Sequence, residues 1–548
     1  MNKTSQKGFM ALIITQFLGA FNDNAFKFVV AAFIVDLMGK QGGTIYLALS
    51  GAVFILPFIL ASTMGGFLAD RFSKRRVIIA TKMLEVVVMV LGFIALACDI
   101  IWPMLAVLFL MGLQSALFGP SKYGILPEIV PSDKLSESNG ILQMWTYIAI
   151  LLGQMSYGFM IHQVGPHIHY TAFYFMAIAL LGLAVSVFIT KVPPSGSQRD
   201  YQANILKEFA QNIIRIKKQD QSIFMSMLGL AYFGFLGGLF QPNVLLYARK
   251  ILMIDHLQTG LIVGAMTVGL GLGCFLAGKL SDQKIELGLV PLGSIGLSLF
   301  SLILGTFQRY DPMILLMMFC LGMSCGFFIV PLNTLIQQQS PAQERGQILA
   351  TNNMLSFSAI LAGSIALFVL RDWVRLNAAQ IFIATGIATM AGTFYITRQV
   401  PYAFIRFLIW TLTHTLYRIK VIDRDNLPQQ GGALLTPNHM SYLDAVILVV
   451  TSQRPIRFMV HREIYNIWWL KPILKTAQAI PVDGKDKPKE IIRSLRLAKD
   501  RLSAGELVCV FPEGQLSRTG NMLKFRQGIE VIMKGVEVPI IPVHIDRI

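Results

Sequence analysis

The chain has 548 residues, of which 54% are apolar and only 14% are charged. With a mean hydropathy of +0.59, this composition excludes an ordinary water-soluble protein of several domains and predicts a protein of the lipid bilayer. The formal net charge of +17 would suggest nucleic-acid binding in a soluble protein, but here Lys and Arg concentrate in loops beside apolar segments, as the cytoplasmic loops of membrane proteins do.

Apolar stretches of about 20 residues, the length that crosses about 30 Å of hydrocarbon, recur up to about Arg398. They predict twelve membrane-spanning helices in two six-helix halves. The polar residues 1–8 are too few for a removable signal peptide, and none is expected. The predicted spans are residues 10–38, 45–69, 77–98, 102–119, 140–163, 171–190, 222–248, 260–280, 287–307, 312–334, 349–370 and 379–397.

The first span contains polar and charged residues at its centre. An ionisable group inside a membrane span is costly, so it marks a functional site unless it is neutralised. Asp23 and Lys27 share a helix face and could simply neutralise one another. The alternative is a polar site for a charged or zwitterionic head group, which Lys122 at the end of the fourth span would complete. The candidate binding residues are Asn22, Asp23, Asn24, Lys27 and Lys122.

The loop between spans two and three has a partial copy 212 residues later, between spans eight and nine, which indicates a duplication of six spans. Residues 66–76 read GFLADRFSKRR and residues 278–283 read GKLSDQ. The first segment resembles the loop signature of the major facilitator superfamily, with Ser73 where a Gly is usual. By this resemblance the loop gates transport, and Asp70 would pair with basic groups to lock the inward-closed state. The alternative is a plain basic cytoplasmic loop. The candidate gating residues are Gly66, Asp70, Arg71, Arg75 and Asp282.

Three further segments narrow the resemblance to the bacterial lysophospholipid transporter branch of that superfamily. They are residues 16–25 (QFLGAFNDNA), 122–128 (KYGILPE) and 135–140. The resemblance covers most of residues 9–400. It implies a carrier that moves lysophospholipids across the bacterial inner membrane.

An enzyme signature follows the membrane spans. His439 and Asp444 are separated by four residues, so the carboxylate can orient the imidazole as a general base. The turn Phe511-Pro512-Glu513-Gly514 follows a strand-like run, and residues 538–543 (VPIIPV) predict a later buried strand.

These three blocks, in this order, resemble the glycerolipid acyltransferase family. By the resemblance, His439 takes the proton of a lipid hydroxyl, Asp444 orients His439, and Glu513 with Gly514 holds the glycerol part of the acceptor. No covalent acyl-enzyme is implied. The further substrate-binding candidates are Asn438, Ser517 and Arg518.

The chain departs from the family after the Phe-Pro-Glu-Gly turn. The family usually continues Thr-Arg-Ser, whereas here Gln515, Leu516 and Ser517 follow. A bidentate Arg suits a doubly charged terminal phosphate, so Leu516 argues against lysophosphatidate and favours a phosphodiester such as lysophosphatidylethanolamine. Arg518 could still reach a phosphate, or be a solvated loop residue.

The sequence therefore predicts an α-helical polytopic membrane protein of the major facilitator fold followed by an α/β acyltransferase domain. Its parts are the N-terminal half 1–190, a linker 191–221, the C-terminal half 222–398 and the acyltransferase 399–548. The basic loops place the acyltransferase in the cytoplasm. Residues 401–420 read as an interfacial helix, with Trp410, Trp468 and Trp469 as anchors or core residues.

The resemblance extends to bacterial fusions of this transporter with a 2-acylglycerophosphoethanolamine acyltransferase, whose acyl-carrier-protein synthetase domain is missing from the sequence. The acyl donor would be acyl-carrier-protein or coenzyme A thioester. The five scattered cysteines show no disulfide or metal spacing, and no bound cofactor or metal is expected. Basic residues of 488–503 could dock an acidic carrier protein or anionic lipid, or be merely solvated.

Two rival functions remain open. One is an amphiphile exporter fused to a lysophosphatidate acyltransferase of de novo synthesis, against which Leu516 counts. The other is a transporter with a catalytically dead lipid-binding module, against which the intact His439, Asp444 and Glu513 count.

Overall fold

The chain folds into two compact units, Met1–Tyr395 and Ile396–Ile548, in a computed structural model. The first unit is helical, and the second contains a parallel β-sheet. The structure describes residues 3–98, 100–165, 167–281, 285–417, 419–423, 426–428, 430–452, 454–483, 488–517 and 522–546.

Long apolar helices make up the first unit. Ten helices of the described ranges are long and apolar enough to cross a membrane. The α-helices of this unit, including those too short or too polar to cross a membrane, are α1 (Lys3–Leu60), α2 (Ser62–Arg71), α3 (Lys74–Ala97), α4 (Ile101–Ile129), α5 (Leu135–Val164), α6 (Thr171–Ser186), α7 (Ile205–Gln219), α8 (Gln221–Leu246), α9 (His256–Leu280), α10 (Leu289–Leu304), α11 (Met313–Gln339), α12 (Arg345–Phe368) and α13 (Ala378–Gln399).

The predicted spans match these helices with two differences. The backbone stays helical from Lys3 to Leu60, so the expected break between spans one and two is not an open loop. The second span includes Leu49–Leu60 and continues into α2 after a bend of 43° near Ala61. The ninth span, α10, has 16 residues and is about 24 Å long at 1.5 Å per residue, shorter than the hydrocarbon core.

Each six-helix half packs around its own long helices. In the N-terminal half α1 contacts α4, α5 and α6, and in the C-terminal half α11 contacts α9 and α10 while α8 contacts α12. The most extensive contacts between the halves are those of α5 with α9 and of α2 with α12. Glycines permit this approach: a Cβ on Gly140 of α5 would lie 2.4 Å from the carbonyl oxygen of Cys274.

The linker between the halves contains an amphipathic helix that the sequence did not reveal. Asn204 caps α7, because its side chain accepts the backbone amide of Lys207 at 3.0 Å. Asp220 then caps α8 through the amides of Ser222 and Ile223. The polar linker is therefore partly ordered by its own capping residues.

The second unit is an α/β domain. Its five strands are parallel and lie in the order β3-β2-β4-β1-β5. Its elements are α14 (Pro401–Leu416), β1 (Ala433–Pro437), α15 (Asp444–Thr451), β2 (Ile456–His461), α16 (Arg462–Tyr465), α17 (Lys471–Thr476), β3 (Ile480–Val482), α18 (Pro488–Ser503), β4 (Leu507–Cys509), α19 (Gly528–Met533) and β5 (Ile540–Val543).

Alternating apolar residues bury both faces of this sheet. Leu435 and Leu507 share one core cluster with Leu448 of α15. Leu434 belongs to the core on the other face, with Ala498 of α18. Because parallel strands end at one edge of the sheet, the loops after β1 and β4 emerge side by side. This edge carries the histidine loop and the Phe-Pro-Glu-Gly turn.

Candidate functional site

His439 and Asp444 form a hydrogen-bonded pair between the end of β1 and the first residue of α15. The Nδ1 atom of His439 lies 2.9 Å from Oδ2 of Asp444. The same carboxylate oxygen accepts the backbone amides of Met440 at 2.7 Å and Ser441 at 2.9 Å. The Asp444 side chain is fully buried, while that of His439 remains 19% exposed. A proton held on Nδ1 leaves Nε2 as the basic atom, which is the arrangement a general base requires.

Phe511 fixes the plane of the imidazole. Its ring stacks on that of His439 with centroids 4.0 Å apart and planes 25° apart. Sequence reasoning gave Phe511 no role beyond its place in the turn. A stacked ring limits rotation of the imidazole, so its Nε2 keeps one direction.

Glu513 connects the two loops of the site. One carboxylate oxygen accepts the backbone amide of His439 at 3.1 Å, and the other accepts that of Leu523 at 3.0 Å. Glu513 is 3% exposed. Both carboxylate oxygens thus bind backbone amides, because buried amides need acceptors. The expected contact of Glu513 with the acceptor's glycerol part stays a prediction.

Asn438 and Ser517 also join the loops rather than face open space. The side-chain amide of Asn438 donates to the carbonyl of Ile545 at 3.0 Å and accepts the amide of Ile545 at 2.7 Å. Asn438 thus clamps the segment after β5, and the substrate contact expected of it stays a prediction. The backbone amide of Ser517 donates to the carbonyl of His439 at 2.9 Å.

Gly514 occupies a backbone conformation that favours glycine. Its φ is +66°, and a Cβ there would lie 2.6 Å from Nε of Arg526. The sequence alone did not single out Arg526. The predicted contact residue Arg518 lies outside the described residues.

The loops at this edge of the sheet expose apolar side chains. Tyr442 beside the His439–Asp444 pair is 72% exposed, and Trp468 in the loop between α16 and α17 is 84% exposed. In an ordinary aqueous protein such an apolar rim is a marker of binding to lipid or protein. The other large apolar side chains exposed on these loops are Met440, Leu443, Ile467, Trp469, Met522 and Phe525.

The polar residues of the first span lie in a buried network with helices α3 and α4. Asn22 donates to Oε1 of Glu85 at 3.1 Å, and Lys82 forms an ion pair of 2.6 Å with the other oxygen of Glu85. Asp23 accepts a hydrogen bond from Ser115 at 2.6 Å. Lys82 and Glu85 were missed from the sequence, although charges inside the third apolar span were a usable signal.

Lys27 and Lys122 are placed differently from each other. Lys27 lies 5.4 Å from the ring centroid of Phe54 and forms no ion pair with Asp23 among the described residues. Mutual neutralisation of these two charges stays an open alternative. Lys122 is buried, with Nζ 4.3 Å from the ring centroid of Tyr123. Asn24 donates to the carbonyl of Ala20 in its own helix.

Asp70 holds the two halves together through backbone amides. Its two carboxylate oxygens accept the amides of Gly346 at 2.7 Å and Gln347 at 2.9 Å, at the N-terminus of α12. Asp70 thus caps a helix of the opposite half, where orphan amides and the helix dipole favour an anion. Its expected pairing with basic groups stays a prediction. Gly66 lets α12 approach, because a Cβ there would lie 2.6 Å from Cβ of Ala350.

The basic residues of this loop bind backbone carbonyls of the segment that follows α6 and leads into the linker. Arg75 donates to the carbonyls of Ile189 and Val187 at 2.8 and 2.6 Å, and Arg71 donates to that of Ser197 at 3.3 Å. Asp282, the predicted counterpart in the second half, lies outside the described residues.

A family model described as "Major Facilitator Superfamily" matches residues 12–364. The chain belongs to this superfamily. A second family model, "Acyltransferase", matches residues 418–546. The expected fold class and the fusion of the two parts are confirmed.

Similar proteins agree with this membership. The chain is 29% identical over 361 residues to "Lysophospholipid transporter LplT" of Enterobacter sp. (strain 638), covering 65% of this chain and 86% of the relative. It is 29% identical over 362 residues to the protein of the same name from Salmonella typhimurium, with the same coverage.

Solved structures show the same membrane fold. The human organic anion transporter MFSD10 matches with a TM-score of 0.60 at 15% identity, covering 72% of this chain and 99% of that one. A bacterial homologue of the iron transporter ferroportin in an outward-facing state matches with a TM-score of 0.55 at 15% identity, covering 73% and 98%.

Proposed function

We propose that this superfamily member moves lysophospholipids across the bacterial inner membrane and reacylates them from an acyl thioester. The observation that carries the proposal is the oriented His439–Asp444 pair, on a domain joined to a membrane unit similar to lysophospholipid transporters. The two parts act on one lipid in sequence, as phospholipid repair requires.

In the proposed reaction, Nε2 of His439 takes the proton from the free hydroxyl of the lysophospholipid. The hydroxyl oxygen attacks the thioester carbonyl carbon, and the tetrahedral intermediate collapses by breaking the carbon–sulfur bond. The thiolate then takes the proton from the imidazolium, and the ester is released. The buried carboxylate of Asp444 stabilises the imidazolium between these steps.

The acceptor is proposed to be a lipid drawn from the bilayer. Support comes from the exposed apolar side chains that surround the catalytic loops, because an amphiphile needs apolar contacts beside a polar reacting group. Leu516 stands where family members that use a phosphate monoester have Arg. This favours a phosphodiester acceptor over lysophosphatidate, the substrate of the rival function in de novo synthesis.

In the membrane unit, the network of Asn22, Asp23 and Lys122 is proposed to receive the head group, with Lys82 and Glu85 as additional members. Opposite charges held in one buried cluster can meet both charges of a zwitterion such as phosphoethanolamine. The basic loops support a cytoplasmic acyltransferase. The donor is proposed to be a thioester of acyl carrier protein or coenzyme A.

The test uses the full-length chain in proteoliposomes with lysophosphatidylethanolamine in the outer leaflet. Uptake is measured without an acyl donor, and acylation is measured by mass spectrometry of extracted lipid after adding acyl thioester inside. We expect both activities. Uptake without acylation would favour a lipid-binding module over an enzyme, and acylation without uptake would remove the transport assignment.

A further inference from the structure

We infer that Arg526 forms a phosphate-binding site for the acceptor's head group, in place of the arginine that the chain lacks at Leu516. This inference rests on the proposed acyl transfer and names the group that would recognise its substrate.

Backbone contacts fix the position of Arg526. Its amide donates to the carbonyl of Pro512 at 2.9 Å, so the residue is anchored to the Phe-Pro-Glu-Gly turn. Three residues earlier, the amide of Leu523 binds the carboxylate of Glu513. Since the same carboxylate binds the amide of His439, the segment that carries Arg526 is joined to the catalytic loop through one side chain.

The side chain of Arg526 packs against Gly514. Cδ, Nε and Cζ are 2.8, 2.6 and 3.3 Å from the point where a Cβ of Gly514 would stand. Gly514 therefore provides the space for the guanidinium as well as the positive φ of the turn. Such packing holds the planar fork in one orientation before a ligand arrives, which reduces the entropy that binding would otherwise cost.

The guanidinium of Arg526 has N–H donors that are available to a ligand. Within the described part of the chain, no hydrogen bond or ion pair joins it to a carboxylate, and the nearby Glu513 directs its oxygens to backbone amides. Arg526 is exposed, as are Met522 and Phe525 of the same segment. A charged fork flanked by apolar side chains matches an amphiphile with an anionic phosphate beside an acyl chain.

The chemistry also limits the ligand class. One guanidinium can make two parallel bonds to the two unesterified oxygens of a phosphodiester, which carries a single charge. A terminal monoester carries close to two charges, as protein phosphates do, and would gain from a second cation. The site therefore fits a phosphodiester head group better than a monoester.

The experiment compares three acceptors with the same acyl chain on the full-length chain in detergent micelles: lysophosphatidylethanolamine, lysophosphatidate and monoacylglycerol, which has no phosphate. The variants are Arg526→Ala and Arg526→Lys. Lys524→Ala, which removes an exposed cation from the same segment, is the matched control.

We expect Arg526→Ala to lower kcat/KM for lysophosphatidylethanolamine about ten- to a hundredfold, mainly through KM, because charge-assisted hydrogen bonds have this effect. The acylation of monoacylglycerol should not change. With lysophosphatidylethanolamine, kcat/KM of Arg526→Lys should lie between the wild-type value and that of Arg526→Ala. If Arg526→Ala lowered kcat/KM equally for lysophosphatidylethanolamine and for monoacylglycerol, Arg526 would be a structural residue and the inference would be overturned. Unchanged kinetics of Arg526→Ala with lysophosphatidylethanolamine would also overturn it. So would a loss of kcat/KM in Lys524→Ala as large as that in Arg526→Ala. If the wild type acylates none of the three acceptors, the proposed acyl transfer itself fails.

Discussion

The carboxylate of Asp70 and the backbone amide of Gly346 join opposite six-helix halves at a distance of 2.7 Å. A second link, the reciprocal amide pair of Asn139 and Gln337 with both bonds at 2.9 Å, connects α5 and α11 near the same ends of the helices. Both links must break before the halves can separate there. The closed end is the one on which the linker lies, since Ser195 in the linker donates to the carbonyl of Asp70.

Replacing Asp70 with Asn should favour opening at this end. The variant loses the negative charge at the N-terminus of α12 and one of the two oxygen acceptors. This should destabilise the closed form by about 1 kcal/mol, which is roughly a fivefold change in the ratio of open to closed forms. Double electron–electron resonance between spin labels at Phe72 and Ala342 measures that ratio. Asp133→Asn, in an exposed loop, is the control. No change in the distance distribution would mean that the cap does not hold the closed form.

Replacing His439 with Ala should lower acyl transfer about a hundred- to ten-thousandfold, the usual contribution of a general base. Asp444→Asn should cost less, because Asp444 orients His439 and does not take the proton. The measurement is product formation from lysophosphatidylethanolamine under saturating donor. A loss below about tenfold in His439→Ala would reject the assignment. Uptake without donor is the internal control and should persist in both variants.

Transport should depend on the buried network of the membrane unit. Asp23→Asn, Lys122→Ala and Glu85→Gln should each reduce lysophospholipid uptake into proteoliposomes. Acylation assayed in detergent should stay at the wild-type rate, because there the acceptor reaches the enzyme without crossing a membrane. Normal uptake by Asp23→Asn and Lys122→Ala would remove the head-group site, and Glu85 would then serve the packing of its three helices.

The cytoplasmic assignment predicts one-sided labelling. In a Cys98→Ser background, cysteines at Gln198 in the linker and at Asp500 in the acyltransferase are exposed sites. An impermeant maleimide should reach them in inverted membrane vesicles and not in intact spheroplasts. Labelling of either one from the periplasm would contradict the twelve-span topology that the basic loops predict.

Stability of the acyltransferase should depend on the pair Arg457–Glu506. Two bonds, of 2.8 and 3.3 Å, join these side chains at the start of β2 and β4. The hydrogen bonds from Arg457 lower the pKa of Glu506 below its ordinary value of 4.5. Stabilisation is therefore complete above pH 4.5 and is lost as pH falls through the folded pKa.

Glu506→Gln should reduce stability by about 2 kcal/mol at pH 7, the usual range for bonds to charged groups, and by less below pH 4.5. Hydrogen exchange of β4 amides, with wild type and variant at the same pH, measures the difference. Glu537→Gln, at an exposed position, is the control. A difference independent of pH would exclude the ion pair as its cause.

The features that could be predicted from the sequence are those that depend on residues close together in the chain. Apolar length predicted the spans, and the spacing of His439 and Asp444 predicted a pair that the structure confirms at 2.9 Å. The sequence could not predict partners that are distant in the chain. Asp70 caps a helix 276 residues away, and Glu513 serves a backbone amide 74 residues away. Lys82 and Glu85 are visible in the sequence as charges, but two opposite charges one turn apart barely reduce the hydropathy of a long apolar span, so they do not stand out.

The clamp between Asn438 and Ile545 spans 107 residues. Strand β5 lies beside β1 and is the last strand of the sheet to be synthesised. The loop that carries His439 is thus held on one side by a segment made after every other strand of the domain. During translation the membrane helices are complete long before this clamp can close, so in a nascent chain the carrier would form before the enzyme.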